Sequence, residues 1–232
     1  MMATMSPKAV LLFCTSLACV AASVAFLAEL NIRSWSVDLI WLMIARLGEV
    51  TLLAIFGMIA AQGSHLRGSV IMTAPDWRST LQNVINYGIL PGSVLGLVNY
   101  LFFFYERYSP FVEERIREID SVYDALVVSL DTGVFEEVIY RLFMMSCLLF
   151  LFRHLYRGLR QIQPKLVAVL PPTMAIVLSS LLFAIAHSVT GFTAAFTGGM
   201  MLGVIYFLSG VESAIAAHVA ANFLFFTASY LN

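Results

Sequence analysis

The sequence predicts an all-α fold: a polytopic membrane helical bundle of about seven transmembrane helices. Hydrophobic residues make up 60% of the 232 residues and charged residues only 12%, with a mean hydropathy of +0.89. A soluble domain carries about 25% charge, so this chain has too little to coat a globule of its size. The third observation is a succession of uncharged runs, each close to the roughly 20 apolar residues that a spanning helix needs. Net charge is −1, so nothing in the composition points to nucleic acid as a partner.

The first span is Ala9–Leu30. Lys8, followed by an uncharged run to Ala28, has the outline of a secretory leader. Everything downstream is equally hydrophobic, so a retained helix is the more economical reading. The second span, Leu39–Gln62, contains Arg46 and Glu49, three apart on one face and able to neutralise each other as a structural pair. His65–Arg78 is polar and reads as a loop, with Pro75–Asp76 as its turn. The third span is expected within Ser79–Tyr105, beginning near Tyr87 or Pro91. Glu106–Asp120 alternates acids and bases and reads as a solvated or interfacial helix.

The fourth span runs from about Val122 to Phe152, and Arg153, His154, Arg157, Arg160 and Lys165 follow in a basic loop. Leu166–Ala186 is the fifth span, with a bend expected at Pro171–Pro172; Ser188–Val211 holds the sixth, and the seventh starts near Glu212. If the basic loop is cytoplasmic, alternation puts Lys8 and the His65–Arg78 loop on the same side. Cys14, Cys19 and Cys147 all lie in apolar runs without metal-type spacing and read as packing residues. There is no tandem repeat, and residues 1–232 read as a single integral membrane domain.

Ionisable side chains inside spans are costly, so each calls for an explanation. Three clusters hold them in the second half. In the first, Glu136-Glu137-Val-Ile-Tyr-Arg141, Glu137 and Arg141 are four apart with the acid N-terminal, the favourable order. Glu136 lies about 100° further round the helix and has no local counter-ion. A carboxylate left unpaired in a dry setting suits a general base. The second cluster is Phe183-Ala-Ile-Ala-His187 and the third His218-Val-Ala-Ala-Asn222, each placing its two polar or aromatic ends one turn apart. Singly, a membrane histidine is an ordinary hydrogen-bond partner between helices. Together, two glutamates, an arginine, two histidines and an asparagine point to chemistry.

In this order the clusters resemble the EExxxR, FxxxH and HxxxN signature of the CAAX prenyl protease and bacteriocin-processing enzyme family of intramembrane glutamic-type endopeptidases. Phe196, Gly199, Gly203 and Tyr206 add a further similarity, and Gly199–Gly203 is also a GxxxG packing face. The resemblance covers about Thr132–Phe226, within a core of about 122–232; residues 1–121 would be variable N-terminal helices. It implies a bundle whose polar cavity opens to one side of the bilayer, and hydrolysis of a peptide bond in a membrane-associated or lipidated peptide or protein. By that resemblance Glu136 and His187 activate the water, His218 and Asn222 donate to the oxyanion, and Glu137 and Arg141 brace the site. It implies no cofactor and no metal. Alternation places His187 at the outer end of its helix and His218 near the start of its own, so bringing both to Glu136 requires tilted helices or a re-entrant start.

Three other readings compete. A zinc protease would use the same Glu and His residues, but no HExxH is present. A non-catalytic membrane partner, immunity protein or scaffold would not be expected to keep all of Glu136, His187, His218 and Asn222. A proton-coupled transporter would require a polar path through the bilayer, whereas these polar residues cluster in the later spans.

Overall fold

The computed structural model describes residues 6–32, 37–106, 116, 119–159, 161–187 and 191–231. Among these the chain is mostly helical, in seven long runs, with residues 64–76 as a loop. We label them α1 (Pro7–Ile32), α2 (Val37–Gly63), α3 (Trp77–Asn83, continuing through Val84–Ile89 to Leu90–Glu106), α4 (Val122–Glu137, continuing through Val138–Met145 to Ser146–Leu155), α5 (Pro164–Ile185), α6 (Phe192–Ser209) and α7 (Val211–Tyr230). Six of them, all but α4, are long and apolar enough to cross a membrane. Large apolar side chains such as Leu12, Trp41, Val94 and Ile185 stand exposed on their outer faces, as lipid permits and water does not. The protein is an integral membrane protein. Most of the charged segment Glu106–Asp120 lies outside the described residues.

α1 joins the bundle through a stripe of small side chains, with Cys14, Ala18, Ala21 and Ala25 all buried at helical spacing. Cys14 is thus a packing residue, whereas Cys19 faces outward; all three cysteines are free. In α2 a methyl group at Gly57 would collide with the backbone of Leu142, so this glycine sets how closely α2 approaches α4. Arg46 pairs with Glu49 at 3.8 Å, as the spacing predicts, and its guanidinium also lies 3.4 Å from the centre of the Phe135 ring on α4.

α3 starts about ten residues earlier than the hydropathy suggests. Asp76 caps it, accepting from the Ser79 amide at 2.7 Å. That hydrogen bond, from the Ser79 amide above all, holds the Asp76 carboxyl below its usual range. A wider π turn, Val84–Ile89, then precedes Pro91. In a straight α-helix the proline ring would clash with the carbonyl four residues back, and the wide turn relieves this. From within this turn onward, Gly88, Gly92 and Gly96 form a seam against α7. A methyl group at any of them would collide with Ser213 and Ala216, Ala217 or Ala221 respectively.

α7 begins at a buried turn. Gly210, at φ +94°, makes the turn from α6 in a conformation that a side chain would strain. Val211 and Ser213 are fully buried. The loop after α2 comes in to meet this turn: the Val211 amide donates to the Gly68 carbonyl at 2.9 Å. The Glu212 carboxylate accepts from the Val70 amide at 2.7 Å, the Ile71 amide at 3.2 Å and the Ser69 hydroxyl. Irregular backbone inside a membrane protein is tolerated where its polar groups are satisfied in this way. The same loop carries His65 to the end of the bundle that holds Arg153 and Arg157, which agrees with the alternation read from the sequence.

Gly199 and Gly203 of α6 pack on α5, next to Ser180 and Phe183 and to Ile176 respectively, so the GxxxG face is a helix contact. Tyr206 hydrogen-bonds Ser146 of α4 at 2.7 Å with both side chains buried. Phe196 stacks on Phe192 one turn away, with 6.3 Å between ring centres. Pro171 and Pro172 lie buried within α5.

Candidate active site

The site is built where α4 and α7 come closest. Gly133 makes this approach, because a methyl there would strike Val219. Three residues on, Glu136 and Glu137 end the first α-helical stretch of α4, and the π turn Val138–Met145 follows at once. Such turns recur at functional sites, since the extra residue per turn re-aims the side chains around it.

Glu137 is fully buried, with one oxygen 3.3 Å from Arg141 Nε. Its other oxygen accepts from His218 Nδ1 at 2.9 Å. Arg141 is also fully buried, its guanidinium 5.1 Å from the centre of the Phe183 ring. The local pairing read from the sequence therefore holds, and a second partner from α7 completes it. Glu136 differs: its side chain is 25% exposed, and its carboxylate lies 3.6 Å from His218 Nε2. His218 thus stands between the two carboxylates, one at each ring nitrogen. This bridge is not visible in the sequence, which shows only the contrast within α4.

His187 lies just past the end of α5. Its Nδ1 is 2.8 Å from the Phe183 carbonyl. A carbonyl can only accept, so Nδ1 carries the proton and Nε2 keeps its lone pair when the ring is neutral. Phe183 lies between the histidines, its ring centre 4.4 Å from that of His187 and 6.0 Å from that of His218. The two histidines, placed far apart in depth by simple alternation, line one cavity, and α7 starts at a buried turn.

Asn222, one turn after His218, donates from Nδ2 to Thr132 Oγ1 at 3.0 Å. The Thr132 hydroxyl in turn donates to the Val128 carbonyl at 3.0 Å. One amide hydrogen of Asn222 is thereby used, and the group is held in one orientation.

Glu136, His187, His218 and Asn222 all line a single cavity of about 190 Å³. Glu137 and Arg141 stand behind its wall. Asn99 of α3 and Thr132 of α4 also line it, and the sequence reading had singled out neither. Thr132 precedes Glu136 by one turn and could have been found from that spacing. Asn99 is a polar residue in an otherwise uncharged span, which was its one signal. The remaining wall is largely apolar, with small residues such as Ala194, Ala195 and Gly198 along α6.

Among the described residues no three His, Cys, Asp or Glu side chains converge as metal ligands.

A family model described as type II CAAX prenyl endopeptidase Rce1-like matches residues 118–224, and this supports the CAAX-protease family for the chain. No curated protein and no solved structure matches the chain.

Proposed function

We propose, on the footing of that family match, that the chain is an intramembrane endopeptidase using water activated by Glu136 and His187. Its substrate would be a membrane-associated or lipidated peptide or protein. The observation that carries this reading is the convergence of Glu136, His187, His218 and Asn222 on one cavity, with Glu137 and Arg141 buried behind it.

The chemistry follows from the geometry. A water held between Glu136 and the free Nε2 of His187 gives its proton to the Glu136 carboxylate as its oxygen attacks the scissile carbonyl carbon. The carbonyl oxygen becomes an oxyanion, met by the second amide hydrogen of Asn222. His218 can add a hydrogen bond there only in its doubly protonated form, with Glu137 holding the Nδ1 proton. When the tetrahedral intermediate collapses, the C–N bond breaks and the leaving amine takes the proton stored on Glu136. Glu137 and Arg141 fix the orientation of His218 and take no part in proton transfer. The cell membrane is the proposed location.

Asn222 separates an enzyme from a scaffold. Asn222→Ala is expected to lower kcat by about a hundred- to a thousand-fold, with KM near its original value, because the lost hydrogen bond forms only in the transition state. Turnover and substrate binding measured on one preparation test this. Binding that weakens in proportion to activity would make Asn222 a contact residue instead.

Activity is also expected to survive exhaustive chelation, since the proposed water activation uses only side chains. Loss of turnover on chelation, restored specifically by zinc, would move the zinc-protease reading to first place.

A further inference from the structure

A second cavity, of about 820 Å³, opens at the end of the bundle where α2 and α4 finish and α5 begins. Its lining draws His65 from the loop after α2 and Arg153, His154 and Arg157 from the end of α4 and the turn beyond it. Among the described residues it includes no acidic side chain. His65, His154 and Arg157 are exposed and Arg153 is half-buried. The cavity is therefore a concave surface onto which the exposed Arg157, His154 and His65 open from two parts of the chain, beside Arg153, which already has a partner of its own.

Two details go beyond what membrane topology alone requires. Positive charge on one loop orients a membrane protein wherever on the loop it sits, and needs neither a hollow nor a fixed side chain. Here the residue closing α2 is His65 at φ +52°, the one described non-glycine residue in the left-handed region. Glycine or asparagine ordinarily takes that position, and here the left-handed backbone turns the chain so that His65 lines the cavity. Gly63, two residues earlier, leaves room for the Phe150 ring, which a methyl group would strike at 2.8 Å. Phe150 in turn supplies an apolar wall beneath the cations. The start of α5 also lines the cavity, and its N-terminal amides have no side-chain cap.

We propose that this cavity binds a phosphate ester, and that its source is the headgroup of an anionic phospholipid. Guanidinium groups pair with phosphate oxygens in two-pronged geometry. Basic pockets between helix ends at a membrane boundary suit an anionic headgroup, with the glycerol and upper acyl chain against an apolar wall. Three helix ends meet here, where an edge of the hydrocarbon is expected. The proposal is independent of the peptidase reading, because its test measures lipid occupancy and not hydrolysis.

The experiment compares phosphatidylglycerol with phosphatidylcholine of the same acyl chains, added to purified protein in detergent. Melting midpoints and native mass spectrometry are read on wild type and on His154→Ala/Arg157→Ala. Phosphatidylglycerol is expected to stay bound and raise the midpoint, phosphatidylcholine to do neither, and the double variant to bind at least about tenfold more weakly. The effect should fade with added salt. Equal responses to the two lipids, or an unchanged double variant, overturn the proposal. So does displacement of the lipid by a poly-glutamate peptide at equal charge, which would indicate an acidic protein segment. Inorganic phosphate that reproduces the shift at millimolar concentration would keep the phosphate chemistry and overturn the lipid source. Should the double variant fail to insert, the lipid comparison on wild type decides.

Discussion

Glu136→Gln is expected to bring turnover down by about a hundred- to ten-thousand-fold, with the protein still inserted and its melting midpoint in detergent unchanged. Glutamine keeps the shape of the side chain and its hydrogen-bonding reach but cannot store a proton at neutral pH. Stability is expected to hold because the Glu136 side chain reaches the cavity, 25% exposed, while the buried pair of Glu137 and Arg141 is left intact. Peptide hydrolysis and melting on the same preparation give the answer. Near-wild-type turnover in a folded Glu136→Gln protein would remove Glu136 from the role of general base.

Arg141→Ala is expected to act through stability. The guanidinium and the Glu137 carboxylate are both fully buried and 3.3 Å apart. Removing one member of a buried pair typically costs about 3–5 kcal/mol, because the remaining charge has lost its compensation. His218 still donates to the other oxygen of Glu137, which leaves it the nearest group able to balance that carboxylate. Turnover should therefore fall together with the midpoint, and Arg141→Lys should recover part of both. A midpoint that does not move while activity disappears would give Arg141 a direct part in binding or chemistry.

The helices and the polar clusters of the candidate site were legible because both leave strong local signals. Mostly apolar runs mark six of the seven helices to within a few residues, and polar groups at one-turn spacing mark the side chains that gather in or behind one cavity. The start of α3 was missed because Trp77–Gln82 is polar enough to pass for loop, and only the Asp76 cap reveals the helix. The π turn at Val138–Met145 leaves no comparable trace: it contains no proline or glycine, and its bond pattern has no characteristic residue spacing. Tertiary partners were also out of reach. That His218 faces both glutamates, that Thr132 orients Asn222 and that Glu212 holds the loop at Ser69–Ile71 depends on which helices become neighbours. Gly88, Gly92 and Gly96 show their four-residue spacing in the sequence, but nothing there says which helix they face.

A polypeptide cut at residue 118, where the family pattern begins, would separate α7 from the surface against which it lies. The helix bearing His218 and Asn222 rests with the backbone of Ala217 and Ala221 directly on Gly92 and Gly96, and Asn99 reaches the cavity from the same side. The borders of pattern and of architecture therefore differ in this chain. Grafting α4–α7 onto the leading helices of another protein would demand a donor with three glycines at the same interval. The first 117 residues are tied to the later helices at Gly57 of α2, at the Ser69–Ile71 loop and along one face of α3, and that face of α3 is as much a wall of the cavity as the helices that carry Glu136, His187 and His218.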